Sequence, residues 1–230
     1  MTPAEATLAL LADDEQQPRN ELRQSELWQR VLKGDMARPG LRTFAGLWWT
    51  TLAGTAAFAT SSLVANVDQE DGRAIFREIL RSLESEDKDP ERLWRCFAEE
   101  LGCCSDELDA ALDKPLLGVA EFLHSLRRFG HDSAHEAAGV AHMLDSQLPR
   151  LYDDAAGALQ RHYGQPREAL AYFLLEASRG EARRRFATHL VQRYCDSPRK
   201  GYEARRAARE VAFAWRTMCD EMLDQIERAA

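Results

Sequence analysis

The chain has 230 residues, of which 45% are hydrophobic and 30% charged, and its formal net charge is −8 at pH 7. This length is sufficient for one large domain with a substantial core. The acidic balance disfavours nucleic acid and anionic lipid as partners, because both attract basic surfaces.

The cysteines and the first 20 residues indicate the cellular compartment of the protein. The five cysteines are odd in number and include no CxxC pair, which favours reduced thiols. Residues 1–20 carry acids where a secretory signal would have a basic start and an apolar run. We therefore expect a cytoplasmic protein.

The polar residues 1–19 predict a flexible arm or a short docking helix. Residues 20–230 are predicted to form a single domain. Its first helix runs from Asn20 to Lys33, where apolar side chains recur at helical spacing and Gly34 supplies a stop.

The next segment, residues 44–67, is uncharged and long enough to cross a bilayer. Nine of its residues are Gly, Thr, Ser or Asn, which makes transfer into lipid unfavourable. We interpret it as the buried helix of a bundle, running from Leu41 to about Val67 and carrying Trp48 and Trp49.

Capping residues, glycine stops and 3/4 spacing predict the remaining helices. They cover Asp68 to Leu83, Pro90 to Leu101, Ser105 to the residue before Pro115, Leu116 to Phe129, Ser133 to Pro149, Leu151 to Tyr163, Glu168 to Ser178, Glu181 to Tyr194 and Gly201 to Arg228. Pro149 is expected to bend or end its helix, and Pro198 to stop the helix before it. No segment alternates like a strand. The chain is therefore predicted to be an all-α single bundle of about eight to ten helices.

Residues 116–149 hold four of the six histidines and are the first candidate for a site. Glu121 and His124 have the Glu-x-x-His spacing of diiron bundles, and His142 and Asp145 are also three apart. These four residues form a candidate metal site. The alternative is a packed helical hairpin with histidines on its solvated flank. On a helical wheel Asp145 lies at the border of the apolar face, whereas His142 is turned towards solvent.

A second candidate is the pair Arg179 and Arg183, which are four residues apart and share a helix face. Their forked donors suit a carboxylate or a phosphate. A solvated basic face is the alternative interpretation.

Several segments, in this order, resemble the haem-oxygenase-like superfamily, in particular its branch with pyrroloquinoline-quinone synthase C, thiaminase II and iron-containing redox enzymes. The segments are SELWQRVLKGDM (25–36), LWRCFAEELGCCSDEL (93–108), LLGVAEFL (116–123), DSQLPRLY (145–152), QRHYG (160–164), AYF (171–173) and QRYCDSPRK with the closing helix. The resemblance spans about residues 20–228. It implies a bundle around a central pocket for a small organic molecule, a homodimer, and a role in cofactor or metabolite biosynthesis.

The resemblance also implies positions for iron ligands. Those positions carry Ser82 with Glu84 nearby, Asp89, Asp145, Arg179, Arg183 and Phe186. Two arginines oppose the charge of a metal, so non-haem iron is expected only if the ligand set has shifted. The leading hypothesis is an oxidase of an organic metabolite. In it Asp145 and His142 are catalytic, Trp48 and Trp49 line the pocket, and Arg179 and Arg183 bind an anionic group. The alternative is a metal-free, non-catalytic binding or regulatory partner.

Overall fold

The computed structural model describes residues 1–65 and 89–229, with side chains described except at positions 53–65, 131 and 132. Within these ranges it is helical and contains no strand. The α-helices, numbered here in chain order, are α1 Pro3–Glu15, α2 Glu26–Lys33, α3 Arg38–Ala65, α4 Pro90–Glu100, α5 Ser105–Asp113, α6 Leu117–Asp132, α7 Ala134–Tyr163, α8 Ala171–Ser178, α9 Gly180–Tyr194 and α10 Pro198–Ala229. A 3₁₀ turn, Leu22–Gln24, precedes α2. The prediction of an all-α bundle is confirmed.

Helix α7 is the centre of the bundle and packs along α10, α9, α8 and α6. Helix α3 packs mainly against α6, and α1 lies across α10 and α9. Residues 1–19, predicted as an arm or a docking helix, therefore contribute a docked helix. No helix in the described ranges is long and apolar enough to cross a membrane.

Glycines in the left-handed region end the elements where the sequence predicted stops. Gly34 (φ 79°) follows α2, Gly102 (φ 92°) follows α4 and Gly164 (φ 64°) follows α7. The left-handed conformation ends a helix, and residues with a Cβ are strained in it. This explains why a glycine stands at each of these three positions.

Pro149 does not separate two helices, so the prediction of separate helices on its two sides is wrong. Helix α7 continues through it. The proline ring costs only one helical hydrogen bond, the one that a residue 149 N–H would donate to the Asp145 carbonyl. Gly180, at the start of α9, packs directly against the ring and makes room for it. Helix α9 ends at Tyr194, before Pro198, as predicted, and Pro198 occupies the first turn of α10, where a missing N–H is tolerated.

Aromatic side chains fill the core between α2, α3, α4, α8 and α10. Trp48 lies at the middle, with its ring centroid 5.0 Å from that of Trp28 and 5.2 Å from that of Trp215. Trp94 contacts Tyr172 at 5.0 Å. These edge-to-face contacts add to the burial energy of the rings. The predicted helix from Asp68 to Leu83 and the positions of Ser82 and Glu84 lie outside the described residues.

Candidate functional site

Asp145 lies near the middle of α7 and is partly buried. Its side chain keeps partial contact with solvent, and no hydrogen bond or direct ion pair joins its carboxylate to another side chain in the described ranges. Burial raises the pKa of this carboxyl to about 6, although Arg183 opposes the shift. A partly buried carboxylate with a pKa this close to neutrality is suited to proton transfer.

Glu176 on α8 organises the charges beside Asp145. It is only 6% exposed, and its two oxygens accept hydrogen bonds from Arg179 Nη1 at 3.1 Å and Arg183 Nη1 at 2.6 Å. Sequence reasoning missed Glu176, which stands in the apolar segment AYFLLEAS. The signal was present, because residues 176, 179 and 183 have the three-and-four spacing of one helix face.

Tyr152 of α7 and Tyr172 of α8 form the apolar wall of the same cluster. Their ring centroids are 5.6 Å apart, and their phenol groups interact electrostatically with Glu176 and Arg183. Burial raises the pKa of both phenols well above the usual range. Both tyrosines are therefore neutral at physiological pH and offer hydroxyl groups as hydrogen-bonding partners.

His142 lies one turn before Asp145 but is held by another element. It is 8% exposed, and its Nδ1 is 2.9 Å from Oε1 of Glu15 at the end of α1. The sequence expectation that His142 turns towards solvent is wrong, because α1 covers this face of α7. His142 adds charge near Asp145 when protonated, but its ring is oriented by Glu15.

The predicted substrate-binding residues fall into two groups. Arg183 is close enough to act on the charge of Asp145, and both Arg183 and Arg179 are bonded to Glu176. Trp48 and Trp49 are each 1% exposed and belong to the core. Trp48 packs against Trp94, which in turn packs against Tyr172 of the cluster. The Arg95 guanidinium lies over the Trp49 ring, 4.5 Å from its centroid.

The four candidate metal ligands are not brought together. Glu121 and His124 are exposed on α6, because the opposite face of this helix is buried, whereas His142 and Asp145 lie inward on α7. In the described ranges no group of three or more His, Cys, Asp or Glu side chains could hold a metal ion. Asp89, at a position where the resemblance expects a histidine, caps α4. The described residues therefore do not fit a non-haem iron centre.

The histidines whose side chains are described also fail to offer a ligand for haem iron. His142 is bonded to Glu15 and His135 to Glu203, the latter at 2.7 Å. His124, His162 and His189 are exposed. A buried imidazole with a free nitrogen, as haem ligation requires, is not among them.

No protein-family model and no curated protein matches the chain. Solved structures do match it. A domain of unknown function with a haem-oxygenase-like fold from Shewanella denitrificans superposes with a TM-score of 0.71 and 8% identity, covering 97% of this chain and 91% of that one. Haem oxygenase-1 from the cyanobacterium Synechocystis, in complex with haem, superposes with a TM-score of 0.66 and 10% identity, covering 100% and 96%. At these identities the likeness concerns the fold, and the chain has the haem-oxygenase-like fold.

Proposed function

We propose that this protein is a metal-independent enzyme that binds a small organic metabolite beside Asp145 and transfers a proton through that carboxylate. The observation that carries the proposal is the Asp145 carboxylate, which is partly buried, has a pKa of about 6 and has no hydrogen-bond or ion-pair partner among the described side chains. At neutral pH such a group is mostly ionised and can accept a proton, and the pKa is close enough to neutrality for it to return the proton.

Oxidation of the metabolite, in a biosynthetic reaction, is the reaction class that we assign. Asp145 would remove a proton from an acidic C–H bond of the substrate. The electron pair left on the substrate and a second proton would pass to dioxygen, and Asp145 would return the first proton, so that the substrate loses two electrons and two protons and dioxygen becomes hydrogen peroxide. Support comes from the sequence resemblance to oxidases of this superfamily, and from described residues that suit proton transfer better than metal binding.

A second candidate, a non-catalytic binding or regulatory partner, is favoured by one specific observation. Arg179 and Arg183 form ion pairs with Glu176 inside the protein. These ion pairs stabilise the fold, so the presence of the two arginines does not require a substrate. A protein of this kind would bind the metabolite without turnover. A cytoplasmic homodimer remains our prediction for either candidate.

The test is a screen of organic metabolites with chelator-treated protein, which follows hydrogen peroxide formation and oxygen uptake. We expect turnover by the wild type and at least a hundredfold loss in Asp145→Asn, as is usual for removal of a general base. Asp153→Asn, an exposed aspartate of the same helix, is the matched control. Turnover that required added iron and survived Asp145→Asn would contradict the proposal. Binding without turnover would favour the second candidate.

A further inference from the structure

Three side chains at the start of α7 and on α10 form a chain of hydrogen bonds. Ser133 Oγ lies 2.9 Å from Nδ1 of His135 and 3.1 Å from Nε2 of the same ring. Nε2 in turn lies 2.7 Å from Oε2 of Glu203. A hydroxyl, an imidazole and a carboxylate in hydrogen-bond contact are the three groups of a catalytic triad.

The carboxylate determines which imidazole nitrogen can act as a base. Hydrogen bonds from Arg199 and His135 hold the pKa of Glu203 below its ordinary value, so this side chain is ionised at neutral pH and only accepts hydrogen bonds. Nε2 of neutral His135 therefore carries the proton that points at Glu203. Nδ1 then has the lone pair and can take the proton of the Ser133 hydroxyl. The two nitrogens exchange the places that they have in the usual triad, where Nε2 faces the serine.

The position of Ser133 at the N-cap of α7 adds donors for an oxyanion. Its backbone is extended, and its Oγ is 3.4 Å from the Glu136 N–H that it caps. The N–H groups of the first helical turn have no acceptor within the helix and carry a partial positive charge. Ala134, directly after the serine, is the first residue of that turn. In other serine enzymes the amide after the nucleophile donates to the oxyanion, and Ala134 suits this role.

We infer that Ser133, His135 and Glu203 form a second site, which hydrolyses activated carboxylic esters through an acyl-serine. The side chains of His135 and Glu203 are 18% and 25% exposed and Ser133 is partly exposed, so an ester can reach the hydroxyl from solvent. A site at the surface supplies little binding energy, which limits it to esters with good leaving groups, such as aryl esters. The site does not depend on the proposed function, because His135 precedes Asp145 by ten residues, a rise of about 15 Å along α7.

The reaction has two steps. Ser133 Oγ bonds to the carbonyl carbon while Nδ1 of His135 takes the hydroxyl proton, and the carbon–oxygen bond to the leaving group then breaks as that proton passes to the leaving oxygen. The products of this step are an alcohol and the acyl-serine. Water next attacks the acyl carbon, gives its proton to Nδ1, and the proton returns to Oγ as the carboxylic acid leaves. Glu203 orients the imidazole and stabilises its charged form.

The serine is tested with two reagents on the full chain at pH 8. Turnover is followed with 4-nitrophenyl acetate, and an alkyl fluorophosphonate labels the nucleophile with loss of fluoride. We expect one phosphonyl group per chain, which peptide mass spectrometry places on Ser133. Ser133→Asn removes the nucleophile but keeps a capping side chain for α7, so the fold should be retained, as checked by thermal unfolding. We expect this variant to lose at least about a hundredfold in ester turnover.

The other two members are tested by their effect on the reactivity of Ser133. We expect His135→Gln to slow phosphonylation of Ser133 at least about a hundredfold and Glu203→Gln at least about tenfold. The matched controls are His189→Gln, an exposed histidine of α9, and Asp224→Asn, an exposed acid of α10. Both controls should react at the rate of the wild type.

Three results would overturn the inference. They are phosphonylation at another residue or not at all, phosphonylation of Ser133 at an unchanged rate in His135→Gln, and ester turnover in Ser133→Asn equal to that of the wild type. The last result would assign the turnover to an exposed imidazole or amine that acts without the serine. None of these results bears on Asp145, which the metabolite screen tests separately.

Discussion

Glu176 and Arg183 connect α8 to α9 through a hydrogen bond of 2.6 Å, with a carboxylate that is almost entirely withdrawn from solvent. The same carboxylate accepts from Arg179. A buried acid of this kind is retained at a cost in desolvation, which its two guanidinium partners offset. Arg183, which also acts on the charge of Asp145, is thus bonded to Glu176 and not to Asp145.

Replacing Glu176 by Gln tests this arrangement through stability. The amide keeps the shape but leaves two guanidinium groups without their carboxylate, one of them largely buried. We expect the free energy of unfolding to fall by about 1–3 kcal/mol, measured by urea denaturation. Glu181→Gln is the control, because Glu181 binds Arg184 and Arg185 on an exposed surface. An equal effect of the two substitutions would contradict the special role of Glu176.

The contact between Gly180 and Pro149 is tested by adding one methyl group. A Cβ at position 180 would collide with the proline ring, in a region where α7 and α9 are closely packed. We expect Gly180→Ala to lower the free energy of unfolding by about 1–3 kcal/mol, as overpacking does. Gly46→Ala, inside α3, meets no atom within 4 Å and should be neutral or stabilising by up to about 1 kcal/mol. Thermal and urea unfolding of both variants would check the contrast.

The pKa of Asp145 predicts how stability depends on pH. Because the pKa is raised to about 6 from an ordinary value near 3.8, the folded state binds more protons than the unfolded state between these values. The free energy of unfolding contributed by this group therefore falls as pH rises from about 4 to 6. We expect Asp145→Asn to become more stable than wild type above pH 6, by on the order of 1–2 kcal/mol, and to show no such gain at pH 4.

The measurement is urea denaturation of wild type and Asp145→Asn at several pH values. Because the other titrating groups are common to both proteins, they largely cancel in the difference. The carbon-13 chemical shift of the Asp145 carboxyl gives the titration directly and should have its midpoint near pH 6. A midpoint below 4 would show that the Asp145 carboxyl is more open to water than the structure indicates.

Helical spacing and glycine stops were sufficient to predict the fold class, since both are local properties of the sequence. The continuation of α7 through Pro149 was not predictable locally, because it depends on Gly180 packing against the ring from another helix. Glu176 was missed for a related reason. It lies in an apolar stretch, and although its spacing from Arg179 and Arg183 allowed a pairing, only the structure shows that the acid is buried against both arginines.

His142 and Asp145 show the same limit within the candidate site. A helical wheel describes one helix and cannot include the partner that covers it, so it placed His142 towards solvent when Glu15 of α1 encloses it. The wheel did place Asp145 at the border of the apolar face. In the structure Asp145 is partly exposed, as expected for a position at that border.

The docking of α1 gives the last prediction. Asp14 is 7% exposed and accepts hydrogen bonds from Arg205 at 2.9 and 3.0 Å and from Arg209 at 2.5 Å. The buried apolar side chains of α1 are only Ala4 and Leu11, worth about 1.5–3 kcal/mol for the leucine. The ion pairs of Asp14 with Arg205 and Arg209 therefore add to a modest apolar contact between α1 and α10.

We expect Asp14→Asn to increase hydrogen exchange in residues 3–15 while the amides of α7 and α10 keep their protection, because α1 can detach locally.

Burial alone would raise the pKa of Asp14, but the hydrogen bonds and charges of Arg205 and Arg209 outweigh it and lower the pKa. The stabilisation is thus present above the ordinary aspartate pKa and is lost as pH falls through the lowered value, so acid should release α1 in the wild type. Asp13→Asn, at the exposed neighbouring position, is the matched control. If exchange rose equally in α7 and α10, α1 would be an integral part of the bundle and not a separately detachable helix.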